Sequence, residues 1–442
     1  MHIAVAAPNL TGRLHSTFEL VSRLESEGHT LTYLCDAEIA KKIKKQGFSY
    51  VEIPAINFNF IDVNQPKSHS WFHKFQFHFS NLGKHYRRGK RILHLDEYKQ
   101  IIDKLNPDMV LVDVELHDLI FTALASKLPV VLFHTWFSDK IDINLPPIRT
   151  AIIPGKGFSG SKLGISLAWI KMRLMVYGRL YINKLRFNNY RRGVFRNYAM
   201  EIGFSRSKMM LNTLPPLYSF KDLPILTMAM KEMEFPHTPE KNLRYIGPLV
   251  FENRVGVHSD EETERRLAEV LSIKKRLNKK LIYCSVSSFV KGDVSFLKRV
   301  IEAASGQNDW LLIMTLGGNI EPALLGEIPK NVFLFSWVPQ LKVLENADCS
   351  INHAGINSIN ECLHFSVPIL AYSGKYFDQN GNAARVAYHG IGIRGDKDVD
   401  NSTTIKHNIS RILEEPTFRN KMIEMHGNYE DYRQRKLTPF LI

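Results

Sequence analysis

Apolar runs alternate with stretches of helical periodicity along the first third of the chain. Four apolar runs predict buried strands, at His2–Pro8, Thr30–Cys35, Asp108–Val112 and Val130–His134. Three periodic stretches predict helices, at Leu14–Gly28, Tyr98–Leu105 and Leu119–Lys127. Gly28 ends the first of these, as is typical of a helix C-terminus. This alternation predicts parallel strands joined by crossover helices.

The same alternation restarts after Pro236–Gly247, where prolines and a glycine indicate a linker. Five later runs predict strands, at Leu281–Val286, Trp310–Leu316, Val332–Trp337, Cys349–Asn352 and Pro368–Tyr372. A chain of 442 residues suits two domains better than one core. We therefore expect an α/β fold with two facing Rossmann-like domains and parallel sheets. Ligands bind beyond the C-terminal ends of such strands, so we expect the site in the cleft between the domains.

The predicted N-terminal domain covers residues 1–240 and the C-terminal domain residues 241–425. Residues 426–442 are expected to form a tail that packs back on the first domain. With 44% hydrophobic and 23% charged residues, the composition is that of a globular protein. The first residues lack the features of a secretory signal, and no apolar run approaches the roughly 18–20 residues of a membrane span. A cytoplasmic location is the expectation.

The four cysteines, Cys35, Cys284, Cys349 and Cys362, are too few and too far apart for a disulfide framework. Their spacing matches no zinc site, and no other cluster of metal-ligating residues stands out. We expect the cysteines to act as small buried apolar residues, and we expect no metal.

The formal net charge of +14 is unevenly distributed, because residues 143–200 contain no Asp or Glu. Ten basic residues of this segment are interleaved with apolar ones: Lys156, Lys162, Lys171, Arg173, Arg179, Lys184, Arg186, Arg191, Arg192 and Arg196. Such a mixture can lie on an anionic membrane surface, which would place the protein on the inner face of the membrane. It can equally form a solvated helix face packed on its own domain. No nucleic-acid motif accompanies it, so nucleic acid is not an expected partner.

Candidate chemistry is concentrated between Ser336 and Gln379. The segment Asn352–Ser358 follows a predicted strand and opens a helix, whose free N–H groups and positive dipole end can bind phosphate. Gly355 permits close approach of the backbone, and His353, Asn357 and Ser358 add side-chain donors to the same anion.

Other residues nearby suit the remaining parts of a nucleotide-sugar. Glu361 lies one helical turn beyond Asn357 and Ser358, where a carboxylate can accept the two hydroxyls of a ribose. Trp337 follows a separate strand and can stack on a base. The Asp378–Gln379 pair suits vicinal sugar hydroxyls. Each element alone is ordinary, but their order within a short stretch points to a nucleotide-sugar site.

This stretch, with F-D-Q-x-G-N-A-A-R-V at Phe377–Val386, resembles the signature of the UDP-glycosyltransferase family of the GT-B fold, family 1 type. The form is closest to bacterial members such as carotenoid and macrolide glucosyltransferases. The resemblance implies that Trp337 stacks on uracil, that Glu361 binds ribose and that Asp378 and Gln379 bind a hexose. The implied diphosphate ligands are His353, Gly355, Asn357 and Ser358. The stretch Ile282–Ser288 also resembles a segment of the family, and its last residue, Ser288, is implied to approach the phosphate. Val338 and Gln340 of the W-V-P-Q stretch complete the implied donor site.

The resemblance also implies a catalytic histidine before the first helix, oriented by an aspartate. The aspartate has a counterpart in Asp113, but the histidine position falls on Arg13, which stays protonated and cannot be a base. Three interpretations remain. His15 reaches the cleft through a shifted loop; or Arg13 pairs with Asp113 or the donor phosphate while another group takes the proton; or the protein has lost catalysis. The groups considered for the second interpretation are Asp113, Glu115, His117 and His134.

The expected acceptor side is the N-terminal half, where aromatic residues can line a site for an apolar molecule: Trp71, Phe72, Phe75, Phe77, Phe79, Trp136, Phe137 and Trp169. The resemblance implies inverting transfer of a hexose, glucose in the first instance, from a UDP-sugar to a hydroxyl of a lipophilic small molecule, with no further cofactor. A catalytically silent relative that binds nucleotide-sugar or a partner protein is the alternative. An epimerase that acts on the nucleotide-sugar alone is a third hypothesis.

Overall fold

A computed structural model describes residues 1–56, 82–185, 190–211, 217–255, 260–285, 293–317 and 320–441 of the chain. Over these residues the chain forms two parallel sheets flanked by helices, together with a short antiparallel pair. The predicted fold class, two facing Rossmann-like domains of the α/β type, is confirmed.

The first sheet contains seven described strands in the order β3-β2-β1-β4-β5-β8-β9. Their bounds are β1 His2–Ala6, β2 Thr30–Cys35, β3 Tyr50–Glu52, β4 Met109–Asp113, β5 Val130–His134, β8 Ile225–Thr227 and β9 Leu243–Tyr245. The antiparallel pair is β6 Met209–Leu211 with β7 Tyr218–Phe220. Helices of this half are α1 Thr11–Ser26, α2 Ala37–Lys45, α3 Leu82–Ile92, α4 Leu95–Leu105, α5 His117–Ala125, α6 Lys162–Leu185 and α7 Tyr190–Glu201.

The second sheet contains six described strands in the order β12-β11-β10-β13-β14-β15. Their bounds are β10 Lys280–Ser285, β11 Trp310–Thr315, β12 Val332–Phe335, β13 Cys349–Asn352, β14 Ile369–Ala371 and β15 Gly392–Arg394. The accompanying helices are α8 Glu261–Leu277, α9 Val294–Ala304, α10 Gln340–Leu344, α11 Ile356–His364, α12 Gln379–Tyr388, α13 Ser402–Glu414 and α14 Pro416–Gln434.

Strand order reverses at one point in each sheet, and these points locate the site. In the first sheet the reversal lies between β1 and β4, and in the second between β10 and β13. Ligands of open parallel sheets bind at such switch points, beyond the carboxyl ends of the strands. Arg13, in the first turn of α1, and Asp113, the last residue of β4, therefore face the β13–α11 connection that carries His353.

The boundary between the two halves falls later than the sequence suggested. Strand β9, Leu243–Tyr245, pairs in parallel with β8 of the first sheet, so the N-terminal domain extends beyond residue 240. Three-residue strands of this kind carry too little alternation to be recognised in a sequence. The chain then crosses to the second sheet, and helix α14 brings it back.

The C-terminal residues lie against the first sheet. Leu437 and Leu441 are buried in the same apolar cluster as Ile3 and Val5 of β1. Glu27 accepts hydrogen bonds from the backbone N–H groups of Leu437 (2.7 Å) and Thr438 (2.8 Å). Both ends of the chain thus contribute to one core.

The first helix begins earlier than its apolar period indicated. It starts at Thr11, so Gly12 and Arg13 belong to its first turn, and Gly28 follows its end with φ of +89°. A residue without Cβ adopts this left-handed conformation at little cost. The four cysteines are all buried and unpaired.

Candidate functional site

The amino ends of helices α1 and α11 meet across the cleft between the two domains. Ser16 of α1 donates a hydrogen bond through Oγ to Oδ1 of Asn357, at 3.1 Å. A Cβ on Gly12 would lie only 2.4 Å from Nδ2 of the same asparagine, so the absence of a side chain allows the two helices to approach. The helix expected to bind the donor phosphates therefore contacts the first turns of α1, which carry Arg13.

Arg13 lies between two carboxylates of the β4–α5 connection. Its Nη1 donates to Oε2 of Glu115 and is 3.6 Å from Oδ2 of Asp113. Its guanidinium also lies over the ring of Trp136, with Cζ 4.7 Å from the ring centroid. Burial lowers the pKa of Arg13, whereas the charges of Asp113 and Glu115, with a contribution from Asp378, raise it. The net effect is a raised pKa, so the guanidinium stays cationic. Arg13 thus links carboxylates of both domains electrostatically.

Asp113 is fully buried, whereas the side chain of Glu115 retains 20% of its exposure. Burial raises the pKa of Asp113 to about 7, Arg13 opposes the rise and Glu115 adds to it. Oδ1 of Asp113 accepts the backbone N–H of Glu115 at 2.9 Å, while Oδ2 has no hydrogen-bond partner among the described residues. The structure therefore presents one buried and one accessible carboxylate at the same cation.

The four histidine and carboxylate candidates for a general base are not equivalent. His117 is fully buried, with Nδ1 3.1 Å from the carbonyl of Glu115 and Nε2 bonded to the backbone of Tyr218, so it serves the core and not the cleft. His134 is stacked on Trp136, with centroids 4.7 Å apart, and burial together with the charge of Arg13 lowers its pKa to about 3. These positions make Glu115 and Asp113 the stronger candidates.

His15 does not share the position of Arg13. Because the helix has already begun, two residues rotate the side chain by about 200°. His15 lies by Phe18, with ring centroids 6.0 Å apart, and burial together with the charges of Arg254 and Lys42 lowers its pKa to about 3. The interpretation in which a shifted loop brings His15 to the catalytic position therefore has no support in this geometry.

The expected phosphate subsite is built by an Asx turn before helix α11. Oδ1 of Asn352 accepts the N–H of Ala354 at 2.9 Å, and Ala354 takes a left-handed φ of 58°. Gly355 has an ordinary φ of −66°; a Cβ there would lie 2.6 Å from Nε2 of His353. Its role is to make room for the His353 ring. Burial, with Lys397, lowers the pKa of His353 to about 4, so the imidazole is neutral at pH 7.

The expected ribose subsite contains a carboxylate that two side chains already hold. Glu361 accepts from Arg254 through Oε1 and from Gln340 through Oε2. Each carboxylate oxygen keeps a second lone pair, so ribose hydroxyls can still be accepted. Trp337 is 40% exposed, as a base-stacking residue requires, whereas the side chain of Val338 is buried and offers only its backbone. Arg254 was not recognised from the sequence, because no motif or pattern in the residues around it distinguishes it from other arginines.

The expected sugar subsite is tied to the phosphate subsite by a residue that sequence reasoning missed. Asn382 is fully buried, and its Nδ2 donates to Oδ2 of Asp378 at 2.9 Å and to the carbonyl of Ala354 at 3.0 Å. Burial raises the pKa of Asp378, against the effect of this hydrogen bond. Gln379 accepts the N–H of Gly374 at 2.8 Å and so shapes the preceding loop. The only sequence signal was the position of Asn382 within F-D-Q-x-G-N.

Helix α12, which begins at this acid–amide pair, is anchored in the other domain. Arg385 and Glu234 form an ion pair with side chains 0% and 1% exposed. The N–H of Gly381 donates to the carbonyl of Ile148 at 3.0 Å, and a Cβ on Gly381 would lie 2.2 Å from that oxygen. The second domain therefore holds its sugar-binding residues against the first.

A cavity of about 230 Å³ opens beside His353 and Gln379 at the carboxyl ends of β10, β13 and β14. Lys375 and Lys397 contribute positive charge to its lining. Ser288, expected to approach the phosphate, lies outside the described residues.

The aromatic residues expected to line an acceptor site fall into two groups. Trp71, Phe72, Phe75, Phe77 and Phe79 lie outside the described residues. Trp136, Phe137 and Trp169 are buried, and Phe137 packs under the guanidinium of Arg385, 4.5 Å from Cζ. Among the residues that the structure describes, no cluster of His, Cys, Asp or Glu has the arrangement of a metal site.

Comparison with known proteins matches residues 299–430 to the C-terminal domain described as erythromycin biosynthesis protein CIII-like. The NDP-glycosyltransferase YjiC of Bacillus subtilis (strain 168) is 23% identical over 398 residues, which is 89% of this chain and 84% of the relative. The oleandomycin glycosyltransferase of Streptomyces antibioticus is 33% identical over 114 residues, 26% of each chain. The crystal structure of the glycotransferase of kitacinnamycin superposes with a TM-score of 0.69 at 20% identity, covering 98% of this chain and 95% of the other.

The two facing sheets and the cleft between their switch points define the GT-B fold. The chain resembles family 1 glycosyltransferases, in its C-terminal domain by the family model and along most of its length by the Bacillus subtilis relative.

Proposed function

We propose that this protein transfers a hexose, with inversion, from a UDP-sugar to a hydroxyl group of a lipophilic small molecule. The observation that carries the proposal is the position of Arg13, whose guanidinium contacts Glu115 and lies 3.6 Å from Asp113, in the helix turn that meets the expected donor helix α11. A cation at this point can hold the reacting groups of acceptor and donor together. Transfer between two bound molecules needs that proximity above all.

The donor side supports a nucleoside diphosphate sugar. A helix amino end, the neutral His353 and the side chain of Asn357 converge where a diphosphate would lie, and the departing phosphate gains stabilisation from that helix end. Trp337 and Glu361 flank the expected positions of base and ribose. The name NDP-glycosyltransferase of the Bacillus subtilis relative leaves the base open, and uridine is our choice because the stretch that carries Trp337 resembles the UDP-glycosyltransferase signature.

The acceptor side supports proton removal by Glu115. Glu115 is the accessible member of the carboxylate pair, and Arg13 fixes its position, whereas the buried Asp113 orients Arg13 from behind. In the reaction, the acceptor oxygen forms a bond to C1 of the sugar as the bond from C1 to the diphosphate breaks. The hydroxyl proton passes to Glu115, and UDP leaves.

The alternative is a catalytically silent protein that keeps donor binding. The observation that favours it is again Arg13, because an arginine cannot accept a proton where the family has its histidine. Both functions need the donor subsite, so donor binding alone does not separate them. Release of UDP in the presence of an acceptor does.

The test incubates the protein with UDP-glucose and a panel of phenols and carotenoid alcohols, and measures release of UDP. Activity that Glu115→Gln lowers by roughly 100- to 10,000-fold, while UDP binding is kept, supports the enzyme and the base. The matched control is Glu430→Gln, a half-buried carboxylate far along the chain, which should be as active as the wild type. No UDP release with any acceptor, although UDP binds, would establish the silent protein; conversion of the UDP-sugar to its epimer without an acceptor and without net release of UDP would indicate the epimerase.

A further inference from the structure

Helix α6 carries apolar side chains on two opposite faces. Its inner face packs on the domain through Ile165, Trp169 and Met172, and Nε1 of Trp169 donates to the carbonyl of Leu145 at 2.7 Å. Its outer face presents a row of exposed apolar residues, spaced three and four apart: Leu163 (62%), Leu167 (47%), Ile170 (53%), Leu174 (68%), Tyr177 (44%) and Tyr181 (64%). This spacing places all six side chains on one stripe of the helix.

Basic residues flank the apolar stripe. Lys162, Lys171 and Arg173 are exposed beside it on the same helix, and no acidic residue occurs between residues 143 and 200 to offset them. A soluble surface rarely presents so many large apolar side chains together without a binding role. The combination of an apolar stripe with basic flanks is that of a helix lying in a membrane interface.

Not all of the acid-free segment belongs to this surface. On helix α7, Arg191 forms an ion pair with the buried Asp118, and Arg192 donates to the carbonyl of Leu217 at 3.1 Å. These arginines stabilise the first domain. The surface in question is therefore the outer face of α6, defined by its six apolar residues and by Lys162, Lys171 and Arg173 beside them.

Charge distinguishes between the possible occupants of this face. A second copy of the chain, packed stripe to stripe, would bring Lys171 and Arg173 of one copy against the same cations of the other. Helix pairs of that kind rely on opposite charges beside the apolar seam, and α6 supplies none. An anionic lipid surface instead suits both the apolar stripe and the basic residues, since acyl chains can contact the stripe and lipid phosphates can pair with the cations.

We infer that the outer face of α6 docks the protein on an anionic membrane surface. No helix within the described residues has the length and apolar character needed to cross a bilayer, so the contact is with one leaflet. The apolar stripe enters the boundary between headgroups and acyl chains, and the basic side chains lie among the phosphates.

The inner face of α6, opposite the docked stripe, is connected to helix α12 of the expected sugar subsite. Leu145, whose carbonyl accepts from Trp169, packs in one cluster with Ala384 of α12. In the segment before α6, the carbonyl of Arg149 accepts a hydrogen bond from Nδ2 of Asn380 at 3.1 Å. Resting on the proposed function, this arrangement means that docking brings the cleft near the bilayer and that the acceptor is a molecule dissolved in it.

The test measures co-sedimentation of the purified protein with vesicles of phosphatidylcholine alone and of an equimolar mixture with phosphatidylglycerol. We expect binding to the anionic vesicles only. Neutralising two cations in Lys171→Gln/Arg173→Gln should weaken it by roughly 30-fold, at about one kcal/mol per charge. The double variant Ile170→Glu/Leu174→Glu should abolish it. The matched control is Ile423→Glu, a residue of equal exposure (52%) on helix α14, which should bind like the wild type.

Equal binding of Ile170→Glu/Leu174→Glu and wild type would overturn the inference. So would a wild-type dimer in light scattering that this variant converts to a monomer, because the face would then be a protein interface. Quenching of Trp337 by UDP checks that each variant is folded. Vesicle binding needs neither donor nor acceptor, so an inactive protein that binds vesicles would overturn the proposed function and leave this inference standing.

Discussion

Arg385 of the second domain is buried completely against Glu234 of the first, with Nε 2.7 Å from Oε1 of the carboxylate. The rings of Phe137 and Phe235 lie 4.5 and 4.4 Å from the guanidinium carbon. The remaining oxygen of Glu234 accepts the N–H of Ser138 at 2.9 Å. Each guanidinium nitrogen of Arg385 and each carboxylate oxygen of Glu234 thus has a hydrogen-bond partner in the protein. The pair is therefore the main polar connection between α12 and the first domain.

Removing one partner of this pair should destabilise the protein strongly, because the other charge would stay buried without compensation. We expect Arg385→Met to lower the free energy of unfolding in urea by about 3–5 kcal/mol. The exposed pair of Lys421 and Glu424, 2.7 Å apart, provides the control, and Lys421→Met should cost less than about 1 kcal/mol. A loss from Arg385→Met as small as that of the control would contradict the anchoring role.

The contact of Gly12 with Asn357 predicts an effect on donor binding. A methyl group at Gly12 would displace the Asn357 amide from Ser16, so Gly12→Ala should raise KM for the donor by roughly tenfold or more. Once Asn357→Ala is present, adding Gly12→Ala should have little further effect, because the two changes act on one contact. Gly427 lies in helix α14 with open space around it, and Gly427→Ala should leave KM unchanged. Additive losses in the double variant would show that Gly12 acts elsewhere.

The raised pKa of Asp113 predicts a pH dependence of the reaction. Above a pH of about 7 the carboxylate is ionised and holds Arg13 by its charge; below that pH it gains a proton and the hold weakens. We therefore expect kcat/KM to rise with pH through about 7, in a profile measured with UDP-glucose and an active acceptor. Asp113→Asn, which cannot ionise, should lose this rise. An unchanged profile in Asp113→Asn would assign the titration to another group.

Trp337 should report donor binding directly. If uracil stacks on its exposed ring, UDP should quench the indole fluorescence, and Trp337→Ala should weaken UDP binding by roughly 5- to 150-fold, the range typical of one stacked base. Trp337→Phe retains a flat ring and should lose less. Trp310, only 7% exposed in β11, is the control, since Trp310→Phe should keep both the quenching and the affinity. Quenching that persists in Trp337→Ala would place the base elsewhere.

Much of the fold was predictable because buried parallel strands appear in the sequence as continuous apolar runs. Strands β2, β5 and β13 match their predicted bounds, Thr30–Cys35, Val130–His134 and Cys349–Asn352. The short strands β8 and β9 were missed, since three residues cannot establish a period. For the same reason the domain boundary was placed too early.

The residues of the expected donor site are close in sequence, so one strand and one helix bring them together, and their binding roles stay predictions. On the catalytic side, the proximity of Arg13 to Asp113 agrees with the second interpretation. The contact of Arg13 with Glu115 was not foreseen, since it joins residues about a hundred positions apart. The proximity of Arg13 to Glu115 requires β1 and β4 to be neighbours in the sheet. Arg254 reaches Glu361, and Glu234 reaches Arg385, through packing that local patterns do not encode.

The amide of Asn382 joins the turn at Ala354 to the carboxylate of Asp378, so one buried side chain connects the subsites proposed for pyrophosphate and for hexose. A change at Asp378 that alters the proposed hexose subsite would also disturb the proposed pyrophosphate subsite. Evolution of a new donor preference in this chain is then expected to proceed through the surrounding loop, at positions such as Lys375 and Tyr376, and to leave Asn382 and Asp378 unaltered.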